Sequence, residues 1–150
     1  MSNGQARWEE EPDFLLIAED NPADVHLIRL ALKRHGISCE ICVVQDGESA
    51  VRFIEQTEAD AFARCPTLAV LDLNLPKVGG DRILQRLREC SKWIHVPVIV
   101  ISSSLSHLDR ATAINLGVSA YFSKPTDLEQ FLELGSLIKN LLRRNPALGE

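Results

Sequence analysis

Short apolar runs recur along the chain, and each is followed by turn-forming or polar residues. Runs of this length, bounded by Gly, Pro, Asn, Asp or Ser, predict strands that are buried on both faces, as in a parallel sheet covered by helices. The predicted strands comprise residues 14–18, 39–44, 68–72, 96–101 and 120–123.

Between these runs, apolar residues recur three and four positions apart, which predicts amphipathic helices. The first helix is the clearest case, because Asn21-Pro22 suits a capped start and Gly36 suits an end. Gly135, inside the last predicted helix, should weaken that helix by about 1 kcal/mol relative to Ala. The predicted helices comprise residues 22–35, 47–57, 80–90, 107–116 and 127–144.

Strands that alternate with helices indicate an α/β fold, specifically a doubly wound five-stranded parallel sheet. The length of 150 residues and a hydrophobic content of 45% predict one domain with a core of its own. We assign that domain to residues 13–144. We expect residues 1–12 to be a flexible N-terminal arm and residues 145–150 a short C-terminal tail.

Charge and hydropathy exclude several classes of protein. The net charge of −5 argues against nucleic acid as a partner, because phosphate binding requires a basic surface. The sequence has no apolar stretch of 18 residues, and residues 1–13 are polar and acidic, unlike a signal peptide. We therefore expect a cytoplasmic protein that does not bind a membrane.

Polar residues stand at the carboxyl ends of four predicted strands. Glu19 and Asp20 follow the first strand, Asp72 ends the third, Ser102 follows the fourth and Lys124 follows the fifth. The carboxyl ends of parallel strands share one edge of the sheet, where α/β proteins bind ligands. We therefore expect these five side chains to form one site.

The chemistry of that site follows from its charges. Three carboxylates repel one another, and a divalent cation together with Lys124 would neutralise them. Oxygen ligands favour Mg²⁺ or Mn²⁺, and Mg²⁺ commonly takes part of its coordination from phosphate oxygens. Asp72 stands apart from the Glu19-Asp20 pair and can act as a phosphoryl-accepting nucleophile. Ser102 and Lys124 would then bind the added phosphoryl oxygens.

These residues and their spacing resemble the receiver domain of two-component response regulators. The resemblance extends over residues 13–144 and implies the flavodoxin-like strand order 2-1-3-4-5. Besides the five residues above, it rests on Asn74, Pro76, Gly79-Gly80 and Pro125.

The resemblance also implies a role for each matching residue. Asp72 would be the phosphorylation site, and Glu19, Asp20, Asp72 and a backbone carbonyl of Asn74 would bind Mg²⁺ or Mn²⁺. Switching and phosphoryl binding would involve Ser102, Ser103, Lys124 and the aromatic Tyr121, with a cis peptide bond before Pro125.

The sequence is similar, more narrowly, to the small stand-alone regulators that are paired with cyanobacterial phytochromes. The implied function is to accept a phosphoryl group from a sensor histidine kinase, with a phytochrome-type kinase as the implied donor, and to switch a surface for partner binding or phosphorelay. The implied partners are that kinase and a downstream protein. A homodimer could form through residues 120–123 and the last two helices, where Leu105, Leu108 and Tyr121 are candidates.

Two alternatives remain at this point. A Mg²⁺-dependent aspartyl phosphohydrolase also uses an Asp nucleophile, but it requires a second acid two residues later, where this chain has Asn74. A protein-interaction receiver that works without phosphorylation would normally lack one of the five groups. We therefore expect no enzymatic activity beyond the protein's own phosphorylation and dephosphorylation.

Overall fold

The computed structural model describes residues 12–103 and 107–144, which contain one parallel sheet. The strand order is β2-β1-β3-β4-β5, which confirms the predicted α/β fold. The strands are β1 (Asp13–Ala18), β2 (Cys39–Val44), β3 (Leu68–Asp72), β4 (Val98–Ser102) and β5 (Ala120–Ser123). The helices are α1 (Pro22–Arg34), α2 (Gly47–Ala59), α3 (Gly80–Glu89), α4 (His107–Asn115), α5 (Leu128–Leu132) and α6 (Leu134–Arg144).

Each face of the sheet has its own hydrophobic core. Successive residues of a strand point to opposite faces, so Ala69 and Leu71 of β3 pack on one side and Leu68 and Val70 on the other. The first core is completed by α2, α3 and α4, and the second by α1, α5 and α6. β3 is the central strand of the sheet and is buried on both faces. Its carboxyl end therefore lies in the middle of the row formed by the carboxyl ends of the five strands.

Polar side chains fix where the helices begin. The Asn21 side chain accepts a hydrogen bond from the Ala23 N–H at 2.9 Å, and Pro22 occupies the first position of α1. The Asp46 carboxylate accepts one from the Ser49 N–H at 2.7 Å at the start of α2. Both contacts satisfy N–H groups that a helix leaves unpaired.

β4 begins two residues later than predicted and includes Ser102 as its last residue. Pro97 explains the later start, because proline has no N–H to donate to a sheet. The Pro97 carbonyl still accepts a hydrogen bond from the Ala69 N–H at 3.0 Å. Ser102 pairs with Ser123 of β5, which places its hydroxyl at the sheet edge.

The predicted last helix is divided at Glu133 into α5 and α6. The Glu133 N–H donates to the Gln130 carbonyl, a three-residue spacing that tightens the chain. Gly135 lies at the start of α6 against α1, where a Cβ atom would collide with the Ala31 carbonyl oxygen and the His35 ring. The glycine therefore permits α6 to approach α1 closely. The sequence-based prediction considered only the lower helix propensity of glycine and not this packing.

The predicted arm at residues 1–12, apart from Pro12, and the predicted tail at residues 145–150 lie outside the described residues. Among the helices that the structure does describe, none combines the length and the apolar character needed to cross a bilayer.

We expect Gly135→Ala to lower the free energy of unfolding by about 1–3 kcal/mol, because overpacking outweighs the gain in helix propensity. Urea denaturation followed by circular dichroism measures this change. Ser136→Ala is the matched control on the same helix, because it makes a half-buried side chain smaller and cannot cause overpacking. An increase in stability for Gly135→Ala would contradict the close approach of α6 to α1.

Candidate phosphoryl-acceptor site

The carboxyl ends of β1, β3, β4 and β5 bring the predicted site residues together. Asp72 is the last residue of β3 and Ser102 the last residue of β4, and both are buried. Glu19 directly follows β1 and Lys124 directly follows β5. The backbone N–H of Lys124 donates to the Ser102 carbonyl at 2.8 Å, which continues the pairing of β4 and β5 up to the site.

Lys124 contacts three acidic side chains. Its ammonium lies 3.0 Å from Asp72 Oδ2, 2.9 Å from Glu19 Oε1 and 2.8 Å from Asp24 Oδ2. The Lys124 side chain is 12% exposed, and those of Glu19 and Asp72 are 0% and 5% exposed. These are therefore largely desolvated ion pairs, in which the loss of either partner leaves a buried charge uncompensated.

Burial and charge shift the pKa values of this cluster. Burial opposes the charged form of Lys124, but its contacts with Asp24, Glu19 and Asp72 outweigh that effect and raise its pKa above the ordinary value. Burial raises the pKa of Glu19 to about 7, against the opposing contacts with Lys124 and the Asn21 N–H, while the Asp72 charge adds to the increase. The charged form of Glu19 is therefore disfavoured mainly by burial, and a cation bound beside it would favour that form.

Three carboxylates can share that cation. One oxygen each from Glu19, Asp20 and Asp72 lies within 4.8 Å of the others. Asp20 is exposed while Glu19 and Asp72 are buried, so the group opens to solvent on one side. A set of hard oxygen donors with an open side suits Mg²⁺ or Mn²⁺, which retain water and bind phosphate oxygens.

Asn74 also contacts the Asp72 carboxylate, at the oxygen that Lys124 does not contact. Its backbone N–H donates to Asp72 Oδ1 at 2.8 Å, and its side-chain amide lies 3.3 Å from the Ser102 hydroxyl. These contacts fix both Asp72 and Ser102 in orientation. The expected role of the Asn74 carbonyl as a metal ligand stays a prediction.

The remaining predicted residues lie around this centre. Ser103 is exposed just after β4. Tyr121 is half-buried in β5, its hydroxyl is buried without a described hydrogen-bond partner, and the Arg110 guanidinium lies 5.7 Å from its ring. Leu105 and the side chain of Leu108, proposed for a dimer face, lie outside the described residues.

The prediction of a cis peptide bond before Pro125 is wrong in this structure. The Lys124–Pro125 bond is trans, as are the other described peptide bonds. Trans is the intrinsically preferred isomer even before proline. The trans bond is compatible with the position of Lys124, whose side chain reaches Glu19, Asp24 and Asp72.

Asp24 is the site residue that the sequence analysis missed. It lies in the first turn of α1, where acids are common because they interact favourably with the helix dipole, so the sequence did not mark it as a site residue. Side chains on a helix tilt toward its N-terminus, and only three residues separate the end of β1 from the start of α1. An acid in the first turn of α1 is thereby directed back toward the carboxyl ends of the strands. This geometry could have identified Asp24 as a site residue from the sequence.

A cavity lies away from the Asp72 site. A groove of about 630 Å³ between α2 and α3 is lined mainly by Arg and Glu side chains and contains none of the predicted site residues. We place the chemistry at Asp72, because buried charges and converging hydrogen bonds are found there, whereas the groove has solvated ion pairs such as Arg86–Glu55.

Comparisons with known proteins agree with this geometry. Residues 15–134 match the family model of the response regulator receiver domain. The response regulator Rcp1 of Synechocystis sp. is 30% identical over 123 residues, which cover 82% of this chain and 84% of Rcp1.

Two solved structures are similar in fold and sequence. The phosphorylated cyanobacterial phytochrome response regulator RcpA has a TM-score of 0.78 and 31% identity, covering 89% of this chain and 95% of RcpA. The Mn²⁺-bound form of Rcp1 has a TM-score of 0.76 and 29% identity, covering 86% and 93%. By its family match, its strand order and its acidic site, this chain belongs to the receiver domains of two-component response regulators.

Proposed function

We propose that Asp72 accepts a phosphoryl group from the phosphohistidine of a sensor histidine kinase, with Mg²⁺ bound by Glu19, Asp20 and Asp72. The observation that carries this proposal is the Asp72 carboxylate itself. It is buried, is oriented by Lys124 and Asn74, and lies beside two further acids. A carboxylate held in this way is suited to attack phosphorus.

The proposed transfer uses groups that are already in place. An Asp72 oxygen forms the new P–O bond while the P–N bond of the phosphohistidine breaks, and the leaving imidazole nitrogen takes up the electron pair. A bound Mg²⁺ would supply charge neutralisation for the phosphoryl oxygens. Lys124 and the Ser102 hydroxyl then donate to those oxygens, and such charge-assisted hydrogen bonds are the stronger kind.

The proposed product is an acylphosphate that persists long enough to act as a signal. A phosphohydrolase would place an acid at position 74 to activate water, and this chain has an amide there. The Asn74 amide is also engaged near the Ser102 hydroxyl, at 3.3 Å. We therefore assign no activity beyond the protein's own phosphorylation and dephosphorylation.

The proposed partners follow from the exposed surface around the site. Pro22, Ala23 and His26 of α1 are exposed and Pro125 is half-buried, so a kinase could dock across them in the cytoplasm. The similarity to RcpA, a phytochrome response regulator, supports a phytochrome-type kinase as the phosphoryl donor. The face formed by α4, β5 and the helices α5 and α6, with Tyr121, is our proposed surface for a downstream protein or a second copy.

Incubation with acetyl phosphate and Mg²⁺ should add one phosphoryl group to the wild-type protein, detected by intact mass. Asp72→Asn should abolish that addition, because the amide oxygen is a far weaker nucleophile. Asp60→Asn, which alters an exposed acid at the end of α2, is the matched control and should behave as wild type. Equal addition to Asp72→Asn would refute the proposed acceptor, and sustained hydrolysis of para-nitrophenyl phosphate would favour the phosphohydrolase.

Asp20→Asn should weaken Mn²⁺ binding at least about tenfold, because it removes one of three charged oxygen ligands. Thermal stability without metal should change little, since Asp20 is exposed. Electron paramagnetic resonance of free Mn²⁺ at fixed ionic strength measures the affinity. Glu133→Gln removes an exposed acid outside the cluster and serves as the control for net charge. An unchanged Mn²⁺ affinity in Asp20→Asn would place the metal elsewhere.

A further inference from the structure

Asp24 shares the Lys124 ammonium with the acids of the phosphoryl-acceptor site. Its Oδ2 accepts a hydrogen bond from Lys124 at 2.8 Å, which is the shortest of the three contacts of that ammonium. The Asp24 side chain is 19% exposed, so this pair is only partly screened by solvent. Asp24 does not belong to the group of carboxylates placed to share a cation.

An ammonium has three N–H donors, and three acids surround this one. A phosphoryl group on Asp72 would need a donor from Lys124, and the neighbouring carboxylates compete with it for that ammonium. Asp72 carries the phosphoryl group and Glu19 faces the proposed cation. Asp24 is therefore the acid whose hold on Lys124 competes with the phosphoryl oxygens.

Helix stabilisation alone does not account for this arrangement. The Asn21 side chain already caps α1. Glu48 occupies the first turn of α2, as Asp24 does in α1, but its ion pairs are with Arg52 and Lys77 on the surface. The contact with a mostly buried lysine distinguishes Asp24 from an ordinary acid of a helix first turn.

Resting on the proposed function, we propose that Asp24 is a positioning residue that holds Lys124 before phosphoryl transfer and yields it to the phosphoryl group afterwards. Its carboxylate lies within about 6 Å of the Asp72 carboxylate, since both contact one ammonium. A negative charge at that distance opposes the arrival of a phosphoryl dianion. The same exchange frees an acid in the first turn of α1, so phosphorylation alters the charge of that exposed helix end.

The test compares rates of phosphorylation by acetyl phosphate at saturating Mg²⁺, followed by intact mass. Asp24→Asn keeps the shape but removes the charge, and should raise the rate constant about three- to tenfold, as expected for a partly screened like charge. It should also lower the half-saturating concentration of acetyl phosphate. Asp24→Glu restores a carboxylate and should return both values toward wild type. Glu48→Gln, the matched control for charge in a helix first turn, should leave both unchanged.

The outcomes separate this inference from the proposed function. If the wild-type protein takes up no phosphoryl group, or Asp72→Asn takes up as much, the proposed function fails and the inference fails with it. If wild type is phosphorylated at Asp72 but Asp24→Asn reacts at the same rate or more slowly, only the role of Asp24 is overturned. Melting temperatures of all variants show whether a rate change reflects loss of folded protein, and a rate increase in a folded Asp24→Asn supports the inference.

Discussion

The contact of the Lys124 ammonium with buried carboxylates is the interaction on which the rest of the site depends. Glu19 and Asp72 are almost fully buried, and a carboxylate buried without a counter-charge costs several kcal/mol. Lys124 reaches both only because β5 pairs with β4 up to Ser102. The strand order of the sheet thus places Lys124 beside the buried acids, and its positive charge offsets the cost of burying them.

The loop after β3 is held in place by a second constraint, which is a close backbone approach. The Gly47 N–H at the start of α2 donates to the Pro76 carbonyl at 3.0 Å, and a Cβ atom on Gly47 would lie 2.6 Å from the Val78 Cβ. Lys77 adopts a φ of 74°, a left-handed conformation that is costly for a residue with a side chain. The loop that carries Asn74 is therefore fixed by packing against α2, and Asn74 in turn orients Asp72.

The sequence was sufficient for features that depend on local patterns. Apolar runs predicted the strands, capping residues such as Asn21 predicted helix starts, and strand ends predicted which polar groups converge. It was insufficient where two distant segments approach each other. Three features depend on how the helices pack on the sheet: the division of the last helix, the packing of Gly135 against α1, and the contact of Asp24 with Lys124. The isomer of the Lys124–Pro125 bond was taken from family resemblance, which does not determine the local backbone.

The charges at the site indicate how the proposed phosphorylation would alter the surface even though the acceptor is buried. Shifting a two-state equilibrium from 1:99 to 99:1 requires about 5.5 kcal/mol of differential stabilisation. One pair of unit charges 4 Å apart supplies about 4 kcal/mol at an effective dielectric constant of 20. A single new contact is therefore too weak, and the proposed switch would require both the Ser102 hydroxyl and the Lys124 ammonium to bind the phosphoryl group. Lys124 is already shared with Asp24 of α1, so in the proposed exchange a phosphoryl group on Asp72 would compete for that contact and link the buried acceptor to α1.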